Sequence, residues 1–415
     1  VSPPDKEGAQ ITGVVGFRLR SQASIGGDAI IYSASFGFGD PNGISGANWY
    51  RASRDGSGWS SESIMPPVAP FATFAAFYGV SHASPDLSSA LFVSNVDEDG
   101  NGFVDGAGDP LPDTSFLFRR FGQSGYDLLA QNPNGSYPES ARGSTDWSIF
   151  YLTTFLQLTP DAPPGGRKVY RYENGTITLA SILPGGSPGG GTVDQGIRRV
   201  SDDGEVVYFQ QNQSNAPTEQ YRREGGETVR VDESENPAAP SSSGAHFRTS
   251  SADGSRAFFT TNDPLVTDDD QPGGTISDPH LDLYLYEHSD DPDNDENLTL
   301  ISVDSEPADG TMADVEGVVG ADDAGTKVYF VADGQLVAGE PTAPDRKLYL
   351  WEDGPGGGSI DYIGGLAASD YEAWVNDSNS FSTQRPGQVS ADGRYLLALT
   401  KTPLTADDNG GKEQV

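Results

Sequence analysis

The chain has no cysteine. That removes disulfide bridges, thiolate metal sites and a cysteine nucleophile together, and leaves the redox compartment undetermined. Basic residues are scarce too: 25 Lys and Arg stand against 61 Asp and Glu, for a formal net charge of −36. A field of that sign repels nucleic-acid phosphates and anionic lipid headgroups, so neither is an expected partner; it favours solubility, divalent cations and basic partners. No run approaches the roughly 18 apolar residues of a membrane span, so membrane insertion is not expected. No basic-then-apolar start marks a signal peptide, and the opening Val1-Ser2-Pro3-Pro4 reads as the mature or trimmed end of an exported chain. The four histidines, His82, His246, His280 and His288, form no HExxH or other paired ligand spacing. There is no Gly-x-Ser-x-Gly elbow to anchor a hydrolase triad, and no long helical pattern.

Glycine (52), proline (29), tyrosine (17) and phenylalanine (19) are plentiful. They are arranged in a repeated phrase, clearest at Ser250-Ser251-Ala252-Asp253-Gly254-Ser255-Arg256-Ala257-Phe258-Phe259. A Ser-x-Asp-Gly turn precedes an alternating strand; a second aromatic strand follows at Leu281–Tyr286 and a last one at Leu298–Val303. With the strand entering at His246–Thr249, the unit has four antiparallel strands. Gly takes positive φ freely, Asp bonds nearby backbone amides, and Ser can cap the same turn, so these Asp residues read as structural. Related starts occur at Ser24, Ser84, Ser144, Ser201, Asp322 and Ser390. The repeats span approximately 10–66, 72–132, 137–184, 194–233, 244–305, 313–367 and 380–415, the last breaking off at Glu413-Gln414-Val415 where a third strand is due. One four-stranded sheet cannot cover both its faces, so each must pack on its neighbours.

The Ser-x-Asp-Gly turn, the apolar-aromatic strand after it and the later Asp-Leu-Tyr strand resemble TolB-type propeller repeats, relatives of the WD-repeat propellers. The resemblance covers almost the whole chain. It implies an all-β fold, a single β-propeller domain over 1–415, most simply seven-bladed, with terminal strands mixed in the closing blade. It implies no activity, because a propeller alone carries none.

Chemistry is sought in the loops. The insertion in the second repeat, Asp97-Glu98-Asp99-Gly100-Asn101-Gly102-Phe103-Val104-Asp105, places oxygen-bearing side chains at positions 1, 3, 5 and 9 with Gly at 6, as in an EF-hand-like calcium loop. Phe103 would give its carbonyl. Gly108 stands where the bidentate Glu belongs, and Asp109 would substitute for it. The expected ligands are therefore Asp97, Asp99, Asn101, Phe103, Asp105 and Asp109, around a structural calcium ion. A second acidic group, Asp290–Glu296, lacks ordered spacing and reads as a solvated loop.

Loops between second and third strands recur as Asp263-Pro264-Leu265-Val266-Thr267-Asp268-Asp269 and Thr402-Pro403-Leu404-Thr405-Ala406-Asp407-Asp408, with fainter copies at Gln335-Leu336-Val337 and Gln157–Asp161. In a propeller, the fold the resemblance implies, corresponding loops of every blade emerge on one face, so one face is expected to be elaborated and acidic, with the calcium loop on it, opposite the Ser-x-Asp-Gly turns. The favoured reading is that Pro-Leu tucks each loop onto its sheet while Asp caps the turn; the functional alternative is a recognition surface on loops held by a rigid scaffold. The segment Ser53–Trp59 resembles a sialidase Asp-box one residue short, itself a structural turn. Five Asn-x-Ser/Thr sequons, at Asn134, Asn174, Asn212, Asn297 and Asn376, matter only if the source glycosylates exported proteins. The expectation is an exported, extracellular or cell-surface binding module, not an enzyme, engaging a protein or carbohydrate ligand. The rivals are a carbohydrate-active or peptidase-associated enzyme, and a self-assembling subunit of a surface lattice.

Overall fold

A computed structural model describes residues 2–3, 5–12, 21–39, 48–65, 79–94, 115–123, 125–131, 139–211, 218–239, 241, 244–267, 269, 280–291, 296–304, 312–344, 346–367, 387–398, 400–402 and 404. Among these, every regular element is a strand, and the strands form seven antiparallel sheets that follow one another along the chain. Two compact units emerge: Val1–Ser181 holds sheets one to three, and Ile182–Ser380 with Arg385–Val415 holds sheets four to seven.

Sheet five is the pattern. Its strands are Ala245–Ser250, Arg256–Thr261, Asp282–Glu287 and Leu298–Leu300, in that spatial order. Sheet two (Gly79–Ala83, Ser89–Ser94, Ser115–Arg120, Asp127–Gln131), sheet three (Ser140–Gly143, Ile149–Thr154, Lys168–Glu173, Thr176–Leu179) and sheet six (Val315–Ala321, Lys327–Ala332, Lys347–Glu352, Ser359–Gly365) repeat it. Sheet one carries the pattern at Gln22–Ala23, Ala29–Ala34, Asn48–Asp55 and Gly58–Ser63, with Ile11–Thr12 as a fifth strand on Ala29–Ala34. Sheet seven has Gly387–Val389 and Leu396–Ala398.

Sheet four departs from the expected unit. Its strands are Val207–Gln211, Glu219–Glu224 and Glu227–Arg230, and the inner position holds only isolated bridges, Thr192 to Gln210 and Val200 to Val207. Gly196, at φ +86°, bends the chain there, and the Ile197 N–H donates to the Arg248 carbonyl of sheet five instead of to its own sheet.

Strand alternation sends successive side chains to opposite neighbours. In the third strand of sheet five, Leu283 and Leu285 pack with Phe330 and Trp351 of sheet six, while Tyr284 and Tyr286 pack with Val206 and Tyr208 of sheet four. Both faces are therefore buried, and the strand reads as continuously apolar. In the first unit Ile31 and Trp49 of sheet one meet Val80 and Phe92 of sheet two.

The repeated turn closes each first hairpin and also joins neighbouring sheets. In sheet five the Ser251 hydroxyl donates to Asp253 Oδ1 (2.6 Å) and accepts the Arg256 N–H (3.0 Å), and Asp253 Oδ1 accepts the Ser255 N–H (3.0 Å). In sheet six Asp322 replaces the serine and accepts the Thr326 and Lys327 amides itself. The residue after the Ser or Asp then bonds turn to turn: Asp202 N–H to Ala252 carbonyl, Ala252 N–H to Asp323 carbonyl, Asp323 N–H to Ala391 carbonyl, all at 2.7–2.9 Å. In the first unit Ile25 donates to Pro85; Pro85 has no N–H, and Asp86 donates to Thr145 in its stead.

Candidate functional site

The loops between second and third strands, read as merely tucked by Pro-Leu, are held by a tyrosine of the strand that follows. In sheet three the Tyr170 hydroxyl donates to the Leu156 carbonyl (2.8 Å) and accepts the Leu158 N–H (3.0 Å). In sheet six Tyr349 stands between the Gly334 carbonyl (2.7 Å) and the Leu336 N–H (3.5 Å). Tyr284 of sheet five bonds the Asp263 carbonyl and the Leu265 N–H, and Tyr50 of sheet one takes both groups from Phe38. Burial on the apolar strand supplies the ring, and the loop backbone supplies partners for the hydroxyl.

Sheets five and six add a carboxylate to the pin. Tyr284 donates to Asp269 Oδ2, and Tyr349 to Glu340 Oε1 (2.6 Å). Burial and the adjacent acids push both phenols above their ordinary range, so they stay protonated donors. Gln157 and Gln335 close their loops alike, through Nε2 to the carbonyls of Ala162 and Glu340.

Beside Asp269 lies Asp282, the first residue of its strand and 7% exposed. Its Oδ1 accepts the Ser302 hydroxyl at 2.8 Å. Burial first, then the charges of Asp269 and Asp314, raise its carboxyl to about 7, against the opposing pull of Ser302 and His280. His280 Nδ1 is itself engaged by Asp314 Oδ1. This acidic group had no signature in the sequence beyond the Asp-Leu-Tyr of the repeat.

An open groove of about 620 Å³ runs from these loops along the outer strands of sheets five and six. Leu298, Leu300, Val303, Val337, Trp351 and Ile360 line it, and among the described residues no titratable side chain does.

The calcium ligands expected from the sequence, Asp97, Asp99, Asn101, Phe103, Asp105 and Asp109, lie outside the described residues, as does Thr405–Asp408. Among the described residues no three His, Asp or Glu side chains gather as a metal cage. Of the second acidic group, Asp290 is exposed and 3.4 Å from His288 Nε2. His82 is buried in the first strand of sheet two, and burial followed by the charge of Arg142 lowers its imidazole to about 3, so it is neutral. The box-like turn at Ser53–Trp59 is structural: Asp55 Oδ1 accepts the Ser57 N–H and hydroxyl. Of the sequons, Asn174 sits at a hairpin tip in left-handed conformation, φ 48°. No described helix is long and apolar enough to cross a membrane.

No protein-family model matches the chain, and no curated protein does. Among solved structures it is similar to TolB and other β-propeller proteins. TolB from Acinetobacter baumannii is 12% identical, with TM-score 0.32 over 81% of this chain and 63% of that one. The β-propeller domain of the Trilobed protease from Pyrococcus furiosus is 13% identical, at 0.38 over 83% of each. An oligogalacturonate lyase in complex with manganese is 13% identical, at 0.42 over 93% and 85%. Acylaminoacyl peptidase from Pyrococcus horikoshii is also similar (13%, 0.38), and the chain covers 46% of its length. The expectation that the chain is not an enzyme is corrected here. Similar chains include a lyase and peptidases as well as TolB, so the repeat gives no ground for excluding catalysis.

Proposed function

We propose that the chain is an exported, seven-bladed propeller forming one domain, which presents the loops between second and third strands as a recognition surface for a protein or carbohydrate at the cell surface. The observation that carries this is the tyrosine pin. It fixes the base of the loop in sheets one, three, five and six and so holds a variable loop on a rigid strand. The apolar groove beside the loops of sheets five and six adds a surface for an aliphatic or aromatic group.

On this reading calcium orders the insertion of the second repeat through Asp97, Asp99, Asn101, Phe103, Asp105 and Asp109, so that the long loop is presented in one conformation. The net charge of −36 selects basic over acidic protein ligands. Capture of ligands from the source's secreted fraction, with calcium and with chelator, tests it. Specific capture that depends on calcium and is lost in Asp97→Ala/Asp99→Ala is expected. Equal recovery with and without the ion removes calcium from the scheme, and no specific capture removes the recognition surface.

A further inference from the structure

The outer strand of sheet five, Leu298–Leu300, is bonded on one side only, to the third strand. Leu298 faces Tyr286, Thr299 faces Leu285 and Leu300 faces Tyr284. The flanking bonds run from the Glu287 N–H to the Asn297 carbonyl and from the Ile301 N–H to the Leu283 carbonyl. They make Leu298 and Leu300 the wide pairs of the ladder, whose own amides and carbonyls point out along the free edge. Glu235, from the link after sheet four, takes the Asn297 and Leu298 N–H on its Oε1 (2.6 and 3.0 Å). Among the described residues nothing pairs with the Leu298 carbonyl or with the N–H and carbonyl of Leu300.

Native sheets blunt a free edge with charge. Here Glu62 stands on the outer strand of sheet one, Asp127 on that of sheet two, Glu227 and Arg230 on that of sheet four, and Asp361 on that of sheet six. Sheet three alternates Thr176 and Thr178 with Ile177 and Leu179. Leu298-Thr299-Leu300 carries no charge, and it forms one bank of the apolar groove of about 620 Å³. The other bank is Trp351 and Ile360 of sheet six with the turn Gly356-Gly357-Gly358, all three glycines at positive φ. A Cβ at Gly356 would meet nothing within 4 Å, and one at Gly357 only Thr299 Cγ2 at 3.8 Å. That bank is therefore bare backbone, with room beside the strand.

We infer that this groove takes an extended segment of another protein, which adds a fifth strand to sheet five along the free edge of Leu298–Leu300. The inference rests on the reading of the groove as a recognition surface and names the form of its ligand. Main-chain bonds to Leu298 and Leu300 supply the register, and alternate side chains of the added strand fall on the side of sheet six, against Val337, Trp351 and Ile360. The segment is apolar at those alternate positions and carries Lys or Arg at its ends, because Glu296 and Asp304 flank the strand in sequence and the chain bears a net charge of −36. The same charge disfavours a second copy of this chain as the occupant.

The test pans a displayed library of random linear peptides on the full chain in chelator, so that calcium plays no part. Enriched sequences should alternate apolar residues between basic ends. In synthetic copies, N-methylation at every second residue should weaken binding at least tenfold and at the intervening residues should not, the period of a paired strand. Leu300→Pro removes an outward N–H that the inner ladder does not use, and Val303→Arg puts a cation at a groove position that is 52% exposed. Each should weaken the peptide at least tenfold; if the proline variant does not fold, the arginine variant and the methylation pattern decide. No enriched peptide, binding unchanged in Val303→Arg, methylation costs without alternation, or a dimer of the chain that Leu300→Pro dissolves overturns the inference. Capture from the secreted fraction that persists in Leu300→Pro would, beside such a result, remove the added strand and leave the loop surface standing.

Discussion

At the scale of single residues, the glycine of the repeated turn does more than permit a bend. Gly254 sits at φ +70°, and a Cβ there would lie 2.7 Å from Val206 Cβ in the sheet before it. Gly325 and Gly393 press in the same way on Arg256 and Lys327. Gly254→Ala should therefore cost on the order of 2 kcal/mol, from left-handed strain together with overpacking, read as a lower urea midpoint at unchanged slope. A cost of a few tenths would mean that the neighbour gives way.

Asp282 makes a pH prediction at the same scale. Its folded carboxyl titrates near 7, above the ordinary value of 3.8. Its contribution is fully present below the unfolded value and is lost as pH rises through the folded one, because the unfolded chain releases the proton first. In ion-free buffer the wild type should thus lose stability relative to Asp282→Asn as pH climbs between those values. Parallel melting profiles for the two proteins across that range would refute the shift.

At the scale of elements, the tyrosine pin sets which loops stay ordered. Tyr349→Phe takes from the Glu340 carboxylate one of its two donors, the Val337 N–H being the other, and leaves the Leu336 N–H without its acceptor. A loss of about 1–3 kcal/mol is expected, with faster amide exchange at Leu336 while the strand Lys327–Ala332 stays protected. Exchange quickening uniformly across sheet six would instead assign the tyrosine to the core.

This is also the scale at which the sequence was most and least legible. Phe258-Phe259 and Leu283-Tyr284-Leu285-Tyr286 announce their strands because both faces are buried. The turn at Ser251–Gly254 announces its hairpin because its bonds are local. The inner strand of sheet four was expected whole, and a glycine that hands one amide to a different sheet leaves no periodic mark. The pin was invisible for a related reason. Tyr50, Tyr170 and Tyr349 lie 12 or 13 residues from the amides they hold and Tyr284 lies 19 from Leu265, a recurrence that shows only once the strands and loops of the sheets are aligned. Asp282 could be found only from its burial in the structure, since a strand-starting Asp carries no mark in the sequence that it is buried.

At the scale of the whole molecule, 61 acidic residues against 25 basic ones impose self-repulsion on any compact state. Sodium chloride should raise the melting midpoint over the first few hundred millimolar by screening it. A midpoint that falls with salt would assign the balance to ion pairs such as Arg256 with Asp353 (2.9 Å) and Arg198 with Asp323 (2.8 Å).

The turn-to-turn bonds point one way. Asp202 gives to Ala252, Ala252 takes from it and gives to Asp323, and Asp323 gives to Ala391. The joints of this unit are therefore heterologous, each turn a donor to the sheet after it and an acceptor from the sheet before. Four sheets joined so behave as a short linear polymer with nearest-neighbour coupling. Opening a middle sheet breaks two joints and opening an end sheet breaks one, so the unit taken by itself should fray from its termini inward, with Ala252 among the last amides to open.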